Sequence, residues 1–479
     1  MVHRAPSEFV EREVTLSVPS DWVVPELDDA VPPGGSVVEA RFDLEATYLD
    51  TADHLLAALG ITLRRRRGGD DPGWHLKVPT AGARVEIQSL SRQLTPPRRL
   101  TDRLAGVCGG RELVEVATIG TTRRVQRLLD AAGGLVVEIA DDHVLGVPLD
   151  APPGSGATVT WREVEVELGA AGTDEQFELV VGQLVAAGAV EQGTTMKLAT
   201  VIDLDLPVAG DAVSQWIRDQ CRRVLLGEVR LRGETAPETV HDTRVAVRRL
   251  RSALRVFAPI LREGDDVPDG DLRWFAGLFG DVRDSDVLAH QLTEGLDALP
   301  GELVLGPVRR DVCAALARQR ATAVRAWLTA TREDRYTQTM ATITAWYLDP
   351  PVCELSDRRL HRLGTALLQD VTRTAEKRLA AADDRPDGWH RARKAAKRMR
   401  YTGEALEPLL RGASEVADRG EHLQELLGEH QDLQLHRQFL LREARRWGGR
   451  AGHQSFTLGL LYAEADRRAA ALRQLDSAP

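Results

Sequence analysis

Two short patterns set carboxylates at a spacing that chemistry can use. In VEREVTLSV (residues 10–18), Glu11 and Glu13 lie two apart; in WREVEVEL (161–168), Glu163, Glu165 and Glu167 repeat that spacing. On a strand, residues i and i+2 share a face, so the acids line one side and Val164, Val166 and Leu168 the other. Paired carboxylates are hard oxygen donors suited to a divalent cation such as Mg2+ or Mn2+. Between the two patterns, Arg64 and Arg66 share a face, as do His75 and Lys77, and Arg84 and Glu86. One charged strand face is ordinarily solvated. A series of them, with acids at both ends and cations between, favours a closed barrel with a polar lumen. Cations there would hold a phosphate chain while a metal assists phosphoryl transfer to water.

A second set of charges follows a helical period. HDTRVAVRRLR (241–251) and HRARKAAKRMR (390–400) share the pattern H-x2-R-x3-[RK]-[RK]-x-R. LFGDVRDSDVL (278–288) and LLGEHQDLQLH (426–436) recur at nearly the same delay, matching Gly280 with Gly428 and Asp284 with Asp432. Two coincidences in register indicate a duplicated helical unit. On a helix, His241, Arg244, Arg248, Arg251 and Arg255 form one stripe; His390, Arg393, Lys397 and Arg400 form the other. Like charges at i,i+4 repel by ~0.2–0.5 kcal/mol per pair, so a stripe that recurs points to a polyanion. Aromatic interleaving for base stacking is absent, which makes nucleic acid a poorer fit than flexible linear phosphate.

The elements that must hold these patterns differ between the halves. Residues 1–205 read mostly as short alternating strands separated by Gly/Pro-rich turns: VEREVTLSV, GITLRRRR, GWHLKVP, ARVEIQSL, LVVEIADDHVL and TVTWREVEVEL. Helices are expected at TADHLLAALG, around RRVQRLLDAAG, and at TDEQFELVVGQLVAAG. From 211 to 479 the period becomes helical, with one repeat over about 211–350 and another over about 355–479. The charge divides in the same way. Residues 1–210 hold 19 Lys+Arg against 32 Asp+Glu, whereas 211–479 hold 43 against 40 and 8 of the 12 histidines. The fold class expected is α+β: an antiparallel strand domain followed by an all-α domain.

These motifs resemble two known families. E-x-E at 11–13, TYLDTAD at 47–53, LRRR at 63–66, WHLK at 74–77, R-x-E at 84–86, TRR at 122–124, EIADD at 138–142 and EVEVEL at 163–168 resemble the CYTH domain, the triphosphate tunnel metalloenzymes. That resemblance implies an eight-stranded antiparallel tunnel that hydrolyses inorganic triphosphate or a related triphosphate with Mg2+ or Mn2+. By position, Glu11, Glu13, Glu163 and Glu165 would be catalytic and metal-binding, with Asp141 a further ligand. Arg64, Arg66, Lys77, Arg84, Glu86, Arg124 and Lys197 would bind substrate. The family's E-x-E-x-K lysine is Thr15 here, and its S-K-x-x-R arginine is Thr200. A tunnel that binds without turnover is therefore the alternative reading.

The helical repeat, with the G-x2-RD-x-D motif at 280–286, resembles the CHAD domain. Two helical bundles that bind inorganic polyphosphate through the two stripes are implied, with Gln431 standing where the first copy has Arg283. No apolar run approaches the ~20 residues that would span a bilayer, MVHRAPSEFVERE has no segment of signal type, and four scattered cysteines form no CxxC pair. Those features, with the polyphosphate reading, suggest a cytoplasmic protein associated with polyphosphate granules and with no membrane partner.

Overall fold

The computed structural model describes residues 8–80, 83–149, 158–192, 196–204, 211–262, 269–353, 356–382, 386–447 and 455–475. They fall into two compact units, Met1–Leu206 and Pro207–Pro479.

The first unit is built on one antiparallel sheet. Its strands are β1 (Glu8–Glu11), β2 (Glu13–Ser17), β3 (Ser36–Thr51), β4 (Thr62–Arg67), β5 (Gly73–Pro79), β6 (Arg84–Ser89), β7 (Leu113–Leu129), β8 (Leu135–Pro148), β9 (Val159–Leu168) and β10 (Val190–Glu191). They run in the order β1-β6-β5-β4-β3-β7-β8-β9-β2-β10. β1 and β2 are one segment broken at Arg12, and they pair with β6 and β9 respectively. The N-terminal segment thus ties the two ends of the sheet together, and the sheet curls into a tunnel. The described sheet has ten strands against the eight expected; the excess is the break that separates β1 from β2 and the two-residue β10.

Four helices accompany the sheet: α1 (Leu55–Leu59), α2 (Arg98–Cys108), α3 (Asp174–Ala186) and α4 (Lys197–Val201). Arg12 turns away from the tunnel at the break. It pairs with Asp174 and with Glu178 (2.6 Å) and lies over the Phe177 ring of α3. A Thr173/Gln176 capping box starts α3, and its Phe177, Val180, Val181 and Leu184 pack on Leu16, Val164 and Val166 of the sheet's apolar face. Near the other end, Leu198 and Val201 of α4 pack with Tyr48, Val116, Ile119 and Val144.

The stretch RRVQRLLDAAG, expected as a helix, is instead mostly strand, the end of β7. Its backbone is claimed on both sides, by β3 and by β8, and pairing overrides a weak local preference.

The second unit contains α5 (Ala212–Leu231), α6 (Pro237–Val256), α7 (Asp269–Ala298), α8 (Val308–Ala330), α9 (Asp334–Leu348), α10 (Asp357–Ala380), α11 (Pro386–Leu406), α12 (Ala413–Trp447) and α13 (Phe456–Leu475). The duplicated stripes lie on α6 and α11, which pack together; α7 and α12, which carry the duplicated Gly and Asp, do the same. The copies share a core in which Leu292 and Leu296 of α7, Val312 of α8, Leu440 of α12 and Leu458 of α13 meet. No described helix is long and apolar enough to cross a membrane.

Candidate functional sites

Strand register sets one tunnel wall in rungs. Arg123 of β7, Asp142 of β8 and Glu163 of β9 stand opposite one another. Two residues along, Glu165 faces Thr15 of β2; the next rung is Arg127, Glu138, Glu167 and Glu13. Asp142, Glu163 and Glu165 each offer an oxygen within 4.8 Å of the others. Lys197, the first residue of α4, places its ammonium among them, 2.9 Å from Asp142, 2.5 Å from Glu163 and 2.6 Å from Glu165. Arg123 forks onto Asp142 at 2.8 and 2.7 Å and reaches Glu165 at 2.5 Å. Burial opposes the charge on Lys197, but Asp142, Glu165 and Glu163 outweigh it and raise its pKa. Burial would likewise raise Glu165, yet Lys197 and Arg123 hold it well below the carboxylate range.

The facing wall is cationic. Arg64, Arg66, Lys77 and Arg84 line a cavity of about 230 Å³ together with Glu13, Glu86, Glu165 and Lys197. Arg84 pairs with Glu13 at 2.9 Å, and Lys77 lies 3.4 Å from Glu13 and 3.5 Å from Glu86. His75 Nδ1 is 2.5 Å from Glu86, and burial keeps this imidazole below its usual pKa. Arg64 donates to the Tyr48 hydroxyl at 3.1 Å, and Arg66 to Asp71 at 2.7 and 2.8 Å. Asp71 is delivered by the β4–β5 turn, where Gly68 has φ +78° and a Cβ would lie 2.2 Å from the Asp43 carbonyl oxygen. Only glycine lets that turn pass so close to β3. Asp50, in TYLDTAD, accepts from the backbone N–H groups of Thr51, Leu56 and Ala57 and so fixes the start of α1. Burial pushes Glu167 up to about 7, with Lys77 opposing and Glu138, Glu13 and Glu86 adding.

Two sequence candidates fall on the opposite strand face. Arg124 is exposed, and Asp141 pairs with Arg162 at 2.8 Å. Their neighbours Arg123 and Asp142 occupy the tunnel wall, because a step of one residue changes the face. Counting by twos from Glu138 would have selected Asp142. Glu163 is buried against the Trp161 indole, which donates to it at 2.6 Å. Glu11 is opposite Arg84 in register, but its side chain lies outside the described residues.

The second unit has a cavity of about 360 Å³ lined from both repeats by His241, Arg244, Arg248, Arg283, Arg393 and Lys397, with Asp284 and Asp432. Arg244 approaches Asp284 only to 3.9 Å. Burial, followed by Arg248, Arg393 and Arg244, pushes Lys397 down to about 6 against the pull of Asp432. The repeated glycines lie beneath two of the lining arginines. A Cβ on Gly280 would lie 3.6 Å from an Arg244 guanidinium nitrogen, and one on Gly428 would lie 3.3 Å from Arg393. Arg400 also lines the cavity but is held by Glu404 (2.7 Å) and Glu421 (2.8 Å). Arg249, missed in the sequence reading, lines it and forks onto Glu404. Arg251 and Arg255 turn instead to Asp269, each at 2.6 Å, and exposed His390 does not line the cavity. The Gln431 side chain lies outside the described residues.

Comparison with known proteins matches residues 35–189 to the CYTH domain and residues 215–441 to the CHAD domain. This is a CYTH–CHAD chain. Two uncharacterised proteins of Mycobacterium tuberculosis, from strains CDC 1551/Oshkosh and ATCC 25618/H37Rv, are each 33% identical to it over 472 residues, covering 91% of this chain and 90% of theirs. Among solved structures, the CHAD domain of the plant Ricinus communis is 28% identical with a TM-score of 0.45, over 55% of this chain and 88% of that one. A Hippeastrum protein assigned as an adenylyl cyclase, described as having a dominant triphosphatase activity, is 18% identical with a TM-score of 0.26, over 41% and 99%. CYTH domains are metal-dependent and bind triphosphate substrates, and CHAD domains are polyphosphate-associated. The CYTH domain here contains the acidic cluster described above, and the CHAD domain the cavity lined by both repeats.

Proposed function

We propose that the CYTH tunnel hydrolyses inorganic triphosphate or a related triphosphate with Mg2+ or Mn2+, and that the CHAD cavity binds inorganic polyphosphate. The observation that carries the first part is the carboxylate triad of Asp142, Glu163 and Glu165, of which Glu165 reaches the small cavity that Arg64, Arg66, Lys77 and Arg84 also line. The donor set suits a hard divalent ion: three carboxylates, with Glu163 Oε1 buried and meeting Lys197 as an ion pair without a directed hydrogen bond. Asp142, Glu163 and Glu165 would hold the ion, which supplies charge neutralisation on phosphate and orientation of water. Arg64, Arg66, Lys77 and Arg84 grip the phosphate oxygens, while Glu13 and Glu86 fix the two cations nearest them. In the CHAD domain, Arg244, Arg248, Arg393 and Lys397 are the gripping set, and binding to polyphosphate would carry the protein to granules of it.

Phosphate release from triphosphate, measured across Mg2+ and Mn2+ concentrations and pH, tests the hydrolase. Release no faster than the protein-free blank from folded protein, under every condition, overturns it. A binding-only tunnel is the second reading, and Thr15 favours it. Thr15 faces Glu165 where the family pattern has lysine, and Lys197 with Arg123 already neutralises much of the acidic wall. A Thr15→Lys variant that turns over when the parent does not would establish that reading.

A further inference from the structure

We infer that Lys197 is a placeholder cation: its ammonium occupies the locus of the divalent ion, and entry of the ion transfers that ammonium from the acids to the phosphate chain. The inference rests on the hydrolase reading above and assigns the motif lysine a position it leaves as well as one it reaches.

Three oxygens surround the Lys197 nitrogen at 2.5–2.9 Å, one each from Asp142, Glu163 and Glu165. One ammonium thus meets three carboxylates, donating a hydrogen bond to Glu165 and pairing by charge with Glu163 and Asp142. Those carboxylates are also the group whose oxygens converge tightly enough to hold a metal among the described residues. A Mg2+ or Mn2+ ion held by the same oxygens would need them at about 2.0–2.2 Å, which leaves no room for an ammonium between them. Repulsion between two cations in a buried site excludes joint occupancy as well. With Lys197 and Arg123 in place, the triad's three negative charges meet two positive ones. Replacing the ammonium by a divalent ion balances them.

The displaced ammonium has a short route. Leu198 and Val201 anchor α4 in the apolar cluster, so the backbone stays while the flexible four-carbon stem of Lys197 swings. Lys197 lines the same cavity as Arg64, Arg66 and Lys77, where a bound triphosphate would lie. Without triphosphate the ion must evict the lysine with no compensating partner for it. With triphosphate present, the lysine gains a new partner and the ion binds more tightly. Metal and triphosphate therefore bind cooperatively, and the coupling passes through one side chain.

The test measures Mn2+ dissociation constants on the full-length protein by calorimetry, with and without the non-hydrolysable analogue imidotriphosphate, for the parent and Lys197→Met. In the parent, the analogue should tighten Mn2+ binding. In the variant, Mn2+ alone should bind about tenfold more tightly or better, because three acids, two of them buried, have lost their ammonium, and the analogue's effect should shrink. Equal or weaker Mn2+ binding by folded Lys197→Met overturns the inference and leaves the metal tunnel standing. No Mn2+ binding by either protein, with or without the analogue, overturns the metal reading and the inference with it.

A second measurement needs no variant. The sequence has only five lysines, so mass spectrometry can follow each after a pulse of amine-reactive label. Mn2+ alone should speed labelling of Lys197 several-fold; an unchanged rate overturns the exchange even if Lys197→Met fails to fold.

Discussion

Lys197 in the tunnel and Lys397 in the helical cavity are both buried ammonium groups, and their surroundings are opposite. Lys197 is enclosed by three carboxylates, and its charge is secured despite burial. Lys397 sits among Arg248, Arg393 and Arg244, which together with burial bring it down to about 6. The tunnel carries its own counter-ions: Glu13 for Arg84, Glu86 for Lys77, Asp71 for Arg66, Asp142 for Arg123. In the helical cavity Arg244 approaches Asp284 only to 3.9 Å, and burial with neighbouring cations lowers the pKa of both Arg248 and Lys397. A site that positions charges for a reaction needs them fixed before substrate arrives. A site that only captures a polyanion can leave repulsion in place for the ligand to relieve.

The contrast breaks first at the acids. Glu163→Gln should lower triphosphate hydrolysis by about a hundredfold or more, since it replaces one of three carboxylates by a neutral amide and leaves Lys197 partly unpaired. Steady-state phosphate release checks this, and a loss under about threefold would remove Glu163 from the proposed metal set. The next effect lies in the other domain. Arg248→Ala with Arg393→Ala should weaken polyphosphate binding by some tens of fold, given about 1.5–3 kcal/mol for a charge-assisted hydrogen bond and incomplete additivity. Fluorescence anisotropy with labelled polyphosphate at fixed salt measures it. Unchanged affinity would mean that the stripe is a solvated face.

The sequence made the rungs of the tunnel legible where strands alternate strictly. Glu163, Glu165, Arg64, Arg66 and Lys77 follow from a period of two, and the duplicated helices from a recurring pattern. It failed at Arg124 and Asp141 because a doublet taken alone does not show which member faces inward; the period of two from Glu138 picks Asp142, and Arg123 follows only from its register with β8. It failed again at RRVQRLLDAAG, whose spacing suits a helix until two neighbouring strands claim its backbone. Arg251 and Arg255 belong to the stripe by spacing, but Asp269 at the start of α7 draws them away, and no one-helix argument contains that acid.

A smaller, graded effect comes from pH. With Lys397 near 6 in the empty cavity, most copies are neutral at pH 8. A polyanion favours the charged form, so binding raises this pKa and takes up a proton. Affinity must therefore rise as pH falls from the bound-state pKa toward about 6, by up to about tenfold per unit, and level off below. His241, lowered by burial and by Arg283, adds its own response at the acid end, in the same direction as carboxylate protonation at Asp284 and Asp432, since each step makes the cavity more positive. Calorimetry in two buffers of different ionisation enthalpy should show proton uptake at pH 7.5. Lys397→Met should abolish most of it, and undiminished uptake in that variant would assign the proton elsewhere.

The finest distinction separates the two repeats themselves. Gly280→Ala and Gly428→Ala both place a methyl group under an arginine, in helix interiors where alanine is favoured over glycine by up to about 1 kcal/mol. At Gly280 the new Cβ is 3.6 Å from the Arg244 guanidinium, an ordinary contact. At Gly428 it is 3.3 Å from Arg393, which must shift by a few tenths of an ångström. Gly280→Ala should thus raise the melting temperature and leave polyphosphate affinity within about twofold. Gly428→Ala should gain less stability and bind about threefold more weakly, because a displaced guanidinium meets phosphate at a poorer angle. Equal losses in both variants would show that the glycines beneath the arginines do not set their aim, and that long-range charge accounts for capture in the helical cavity.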